Sequence, residues 1–145
     1  MSGGYVFDTE AIIAFLYNEP GHETVADLLE EVFAGNEDGW LTETNASEVF
    51  YLIARFEGID DTPTDTSLRE ADRDIRALDR QGLQIVSTDW RLAAEIKADG
   101  DISLADAYAV GLAHEYEATL VAGADDDFAE LPVEIDLHRF REHSV

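Results

Sequence analysis

Tyr5, Val6 and Phe7 form a short apolar run that stops at Asp8, after which Ala11, Ile12, Phe15 and Leu16 recur at helical intervals. That change of period predicts a strand running into a helix. Pro20 and Gly21 end this helix, and a second is expected from His22, burying Val25, Leu28, Leu29 and Val32. The turn at 35–39 leads to a short strand around Trp40 and Leu41. Thr44 or Asn45 then caps a helix whose apolar residues Val49, Phe50, Leu52, Ile53 and Phe56 point largely inward. Residues 58–65, with Pro63, make the longest polar connection. The helix expected over 68–80 has two faces, with Leu68, Ala71, Ile75 and Leu78 toward the core and Arg69, Arg73, Arg76 and Arg80 roughly opposite. Gly82 resets the chain before a strand over 83–86. Thr88 or Asp89 starts a helix closed by Gly100, and Ser103 starts another carrying Leu104, Tyr108, Leu112 and Tyr116. Residues 119–122 read as a strand, and 133–137 as the last, at the sheet edge.

Short apolar strands alternating with helices predict an α/β fold, a parallel sheet covered on both faces. With 145 residues, 46% of them hydrophobic, the chain has material for one core rather than two. A single domain over 1–145 is therefore expected, with 139–145 as a short C-terminal tail.

Charge changes the picture of the surroundings. The chain holds 33 acidic and 9 basic residues, a formal net charge of −24, several-fold beyond the usual range of a small soluble domain. Such a surface repels itself in dilute salt. At molar salt the Debye length falls to about 3 Å and the repulsion fades. Lys97 is the one lysine. A high-salt archaeal cytoplasm is the expected setting; the plainer alternative is an ordinary acidic protein that sheds charge through a partner. The absence of cysteine removes disulfides, thiolate catalysis and cysteine-ligated zinc. No long apolar run or basic-hydrophobic leader supports a membrane or secreted location. His22, His114, His138 and His143 lack metalloprotease spacing, and His138 with His143 reads as solvated rather than metal-binding. Nucleic acid normally calls for a basic surface, an objection that weakens in molar salt, where metal, stacking and shape must carry recognition.

Reactive groups in open α/β sheets collect beyond the carboxyl ends of the strands. Asp8 follows the first strand and Asp125 to Asp127 follow the strand at 119–122, while Glu48 and Asp106 lie near helix starts. If the fold gathers them, their charges require neutralisation. Mg²⁺ or Mn²⁺ supplies it, and two such ions about 3.5 to 4 Å apart activate water and stabilise a leaving oxygen in phosphodiester cleavage. Asp8 and Asp125 are the best direct ligands, with Glu48 and Asp106 ligating or orienting water. Each acid also has an ordinary use: Asn45 to Glu48 as a capping box, Asp106 at a helix start, Asp8 as a cap.

These segments resemble the PIN-domain family, particularly endoribonuclease toxins of VapC type. YVFDTEAIIAFLYNEPG (5–21) is similar to the family's first strand, acid and helix, and TNASEVFYLIAR (44–55) places the second acid at Glu48. ISLADAYAVGLAHEY (102–116) places the third at Asp106. ATLVAGADDDF (118–128), aligned by an acid three positions before an aromatic, selects Asp125, with Asp127 as a further metal-ligand candidate. The resemblance implies a three-layer α/β/α sandwich with a five-stranded parallel sheet and Mg²⁺- or Mn²⁺-dependent RNA cleavage. It also implies a homodimer and a small antitoxin protein whose tail crosses the acidic pocket. Ala122-Gly123-Ala124 departs from it, because many members carry Thr or Ser there. Thr9 offers a hydroxyl beside the first acid.

Two rivals share parts of this pattern. A catalytically weak PIN-like scaffold would use the acidic pocket to bind a basic antitoxin segment. An aspartyl phosphatase of the haloacid type needs a second acid two residues after the first, and Glu10 stands where that pattern asks for aspartate. The arginines of the 68–80 helix suit phosphate contact, although Glu70, Asp72, Asp74 and Asp79 offer them nearer partners.

Overall fold

The computed structural model describes residues 3–123, 128 and 130–142. Its strands are β1 (Tyr5–Phe7), β2 (Gly39–Thr42), β3 (Leu83–Val86), β4 (Thr119–Ala122) and β5 (Asp136–Arg139). All neighbours pair in parallel, in the order β3-β2-β1-β4-β5. Six helices accompany them among the described residues: α1 (Thr9–Tyr17), α2 (His22–Phe33), α3 (Glu43–Phe56), α4 (Asp65–Gln81), α5 (Trp90–Asp99) and α6 (Leu104–Tyr116). None is long and apolar enough to cross a membrane.

Successive strand residues face opposite sides of a sheet, and this alternation builds two cores. Phe7, Leu41, Leu83 and Val121 join Ile12, Leu29, Ile53 and Ile75 from the first four helices. Val6, Leu120 and Ala122 point the other way, under Ile96 of α5 and Val110 and Leu112 of α6. The sheet is thus the middle of three layers, the α/β sandwich expected.

Several boundaries differ from the sequence expectation. The cap of α3 is Thr42, the last residue of β2, whose Oγ1 accepts from the Asn45 N–H at 2.9 Å. Thr44 and Asn45 lie inside the helix, so Asn45 to Glu48 is no capping box. Helix α4 begins at Asp65 under a reciprocal box in which Thr64 Oγ1 accepts from Ser67 N and Ser67 Oγ from Thr64 N. Ser67 consequently takes the inner position, and Leu68 is 40% exposed rather than core. Phe56 also faces solvent, meeting Tyr17 edge to face. The edge strand β5 starts at Asp136, later than expected, because Val133 and Ile135 pack on the second core from irregular backbone.

The segment expected as a tail is anchored at its start. Arg139 belongs to β5, and Phe140 and Arg141 are buried. Gly21, at φ +87°, lets the backbone of Phe140 approach so closely that a Cβ would collide with the Phe140 carbonyl. On α4 the arginine stripe is solvent-facing, and acids of the same helix occupy two of its members. Arg76 Nε donates to both carboxylate oxygens of Asp72 at 2.9 Å, and Arg73 Nε lies 3.7 Å from Asp74.

Candidate active site

The chain leaves β1 for β2 and β3 on one side and returns to its other side for β4. Strand order reverses there, and in open α/β sheets ligands bind beyond the carboxyl ends of the strands that flank such a point. Asp8 occupies that point. Its N–H donates to the Val121 carbonyl at 3.1 Å, and its Oδ1 accepts from Ala11 N at 2.7 Å, capping α1. The ordinary use and the catalytic candidacy therefore coincide in one side chain.

Only 2% of Asp8 is exposed. Burial pushes its carboxyl well above the usual range, against the opposing pull of the Ala11 N–H. The Asp106 and Glu10 carboxylates push the same way as burial, and the Arg141 guanidinium opposes them. Asp106 is in the first turn of α6, where Ser103 Oγ caps its N–H at 3.1 Å. The structure thus brings Asp8 and Asp106 into one electrostatic environment although a whole α/β alternation separates them in sequence.

Glu48 is half-buried in the second turn of α3. That helix is pinned to the start of α1 by a buried polar trio. Thr42 Oγ1 donates to Asn45 Oδ1 at 2.5 Å, and Asn45 Nδ2 donates to Thr9 Oγ1 at 3.0 Å. The Thr9 hydroxyl is accordingly engaged by Asn45, and Glu48 stands about one turn further along. Replacing Asn45 by alanine leaves both threonine hydroxyls without this partner. A loss of about 1–3 kcal/mol is expected in urea unfolding at molar KCl; an unchanged midpoint would show that the trio anchors nothing.

Among the described residues, no three His, Asp or Glu side chains stand close enough to hold a metal ion. Asp125 and Asp127 lie outside the described residues. The donors on view are oxygen-only in a chain without cysteine, and one is a buried carboxylate whose ionised form burial and neighbouring acids disfavour. This donor chemistry fits Mg²⁺ or Mn²⁺ rather than a softer metal.

Sequence reasoning missed Arg141. Its Nη2 pairs with Glu10, Nη1 donates to the Pro20 carbonyl at 3.2 Å and lies 3.9 Å from Glu19, and the guanidinium sits over the Phe140 ring. The Glu10 carboxylate in turn lies against Gly123, where a Cβ would come within 2.5 Å of Oε1. Arg139 Nη1 donates to the Gly123 carbonyl at 3.1 Å. Glycine just after β4 therefore makes room for the Arg141–Glu10 ion pair. The available signal was an apolar-basic Phe140-Arg141 pair just after the last strand, in a chain with so few cations.

No curated protein matches the chain in sequence. Solved structures match its fold, three of which follow. VapBC from Salmonella typhimurium, in a DNA-bound crystal structure, gives a TM-score of 0.71 at 13% identity, covering 94% of this chain and 98% of that one. VapBC2 from Rickettsia felis, bound to a DNA fragment from its promoter, gives 0.67 at 15%, covering 93% and 97%. FitAcB from Neisseria gonorrhoeae gives 0.63 at 20%, covering 94% and 97%. The PIN domain sequence model matches residues 5–134, from the first strand through the loop before the last. With that match over most of its length, the chain belongs to the PIN-domain family.

Proposed function

We propose that this protein is a metal-dependent endoribonuclease and the toxin of a toxin–antitoxin pair. Asp8, Glu48, Asp106 and Asp125 are its catalytic acids, with Asp127 as an additional metal ligand. The observation that carries this reading is Asp8, buried where strand order reverses with the Asp106 carboxylate raising its pKa further. A buried acid that burial and a second acid both push toward neutrality calls for a cation in its working state.

Mg²⁺ or Mn²⁺ bound there would polarise the scissile phosphodiester and lower the pKa of the attacking water. The chain does the positioning. The Ala11 N–H holds one oxygen of Asp8 and leaves the other to ligate. Asp106 adds a second carboxylate from a capped helix start, and Glu48 orients water from α3, whose place the Asn45 trio sets.

The likeness in fold to the VapBC and FitAcB structures supports a small antitoxin protein as partner; the working form is a homodimer, as the family resemblance implies. The acidic composition supports a high-salt archaeal cytoplasm. A second reading, a weak scaffold that binds a basic antitoxin segment, is favoured by the missing hydroxyl at Ala122-Gly123.

Cleavage of RNA in molar KCl with Mg²⁺ or Mn²⁺ separates them. Wild-type turnover that stops in EDTA and falls at least about a hundred-fold in Asp106→Asn is expected, more than the loss of an outer-shell partner usually costs. Turnover that persists in EDTA, or survives intact in Asp106→Asn, contradicts the nuclease assignment; no turnover at all favours the scaffold.

A further inference from the structure

Helix α3 carries more than Glu48 on its solvent-facing side. Glu48, Tyr51 and Arg55 are spaced three and four residues apart, the interval that stacks side chains along one face. The Tyr51 hydroxyl lies 3.5 Å from Glu48 Oε2, and the Arg55 guanidinium sits over the Tyr51 ring, 4.9 Å from its centroid. Tyr51 is 42% exposed despite this position beside a candidate acid. Arg73, Arg76, Arg91 and Arg141 all have carboxylate partners, whereas Arg55, like Arg69 and Arg80, makes no ion pair among the described residues, and of these three it is Arg55 that lies over an aromatic ring. In a chain with 33 acids and 9 bases, an arginine left free of them and laid on an exposed aromatic is a surface open to an outside anion.

We propose that Tyr51 and Arg55 form a nucleotide subsite for single-stranded RNA. Tyr51 stacks on a base flanking the scissile phosphodiester, and Arg55 grips the adjoining phosphate. The subsite rests on the nuclease reading above and gives it the residues that hold the strand beside the acids. About 10 Å of helix axis separates Glu48 from Arg55, so the strand runs from the acids outward along α3. Duplex RNA keeps its bases inside the stack, and only a single strand presents a free base face. Stacking also suits a salt-rich solvent, in which charge attraction between protein and backbone is largely screened.

The test measures binding of a short fluorescein-labelled single-stranded RNA by anisotropy, in molar KCl with Mg²⁺, using Asp8→Asn protein so that nothing is cleaved. Adding Tyr51→Ala is expected to weaken binding roughly ten-fold, while Tyr51→Phe stays within about two-fold, because the ring face is what the base uses. Arg55→Gln is expected to cost roughly five-fold. A matched duplex should bind equally with and without Tyr51→Ala. On the cleavage-competent protein, Tyr51→Ala and Arg55→Gln raise KM, and Tyr51→Phe does not.

Equal single-strand affinity with and without Tyr51→Ala overturns the subsite and leaves the nuclease reading standing. Failure of the parent to bind single-stranded RNA also overturns it. A changed elution volume with unchanged RNA affinity reassigns this face to protein contact and overturns it likewise. Tyrosine-dependent binding in a protein that cleaves nothing with metal supports the subsite and removes only the nuclease assignment.

Discussion

Asp8→Asn is expected to abolish RNA cleavage and, in the absence of metal, to raise the melting temperature. Asparagine is as good a helix cap as aspartate, so its amide oxygen keeps the bond from Ala11 N. What it removes is a charge that burial, Asp106 and Glu10 all disfavour. The folded-state pKa of Asp8 lies above its ordinary value of 3.8. Its contribution to stability is therefore whole below the unfolded-state value and lost as pH rises through the folded-state value. Wild type should fall behind the variant across that window and stay behind at neutral pH. Melts in molar KCl and EDTA, from acid to neutral, read this directly. Adding Mg²⁺ or Mn²⁺ should close or reverse the gap, because an ion that binds only the folded state stabilises it by mass action and the variant lacks the carboxylate proposed to hold it. The loss of cleavage should be at least about a hundred-fold. A variant that melts no higher than wild type in EDTA would mean that Asp8 is not held against its own charge.

Arg141→Met should destabilise the fold by roughly 2–4 kcal/mol, which for a chain of this size lowers the melting temperature by roughly 5–10 °C. The guanidinium is almost fully buried and serves Glu10 and the Pro20 carbonyl at once. Methionine fills much of the volume but leaves both without a donor. Glu10 retains some contact with water, which softens the loss. The same charge opposes the upward push on Asp8, so without it the Asp8 carboxyl rises further. The acid limb of the pH–activity profile should move to higher pH, and Arg141→Lys should restore the limb better than the stability, because lysine keeps the charge without the fork. An unmoved melting temperature would show that the contacts of Arg141 are idle.

The positions that the hydrophobic pattern placed well are those whose evidence is local. β1, β3 and β4 are bounded by a polar residue or glycine that interrupts an apolar run, and the caps Asp89 and Ser103 precede their helices as expected. Asp8 and Asp106 were legible for the same reason, as acids at a strand exit and a helix start. Thr42 was not, since it closes β2 and caps α3 with no linker between them. Val133, Ile135 and Leu137 alternate as a strand does, yet the ladder pairs Asp136 with Thr119 and Arg139 with Ala122, a register decided by β4 rather than by the segment itself. Arg141 is the extreme case. Its partner Glu10 lies at the opposite end of the sequence, and no periodicity connects them.

The pairing of Tyr5 with Thr119 has a temporal side. On the ribosome β1 emerges first, but one of its edges waits for a strand made after more than a hundred further residues, and contacts so distant in sequence form late. Asp8 and Asp106 are strangers throughout that interval. The chain's own topology keeps the two acids apart, and they share one environment only once the last of the central strands has been threaded into place.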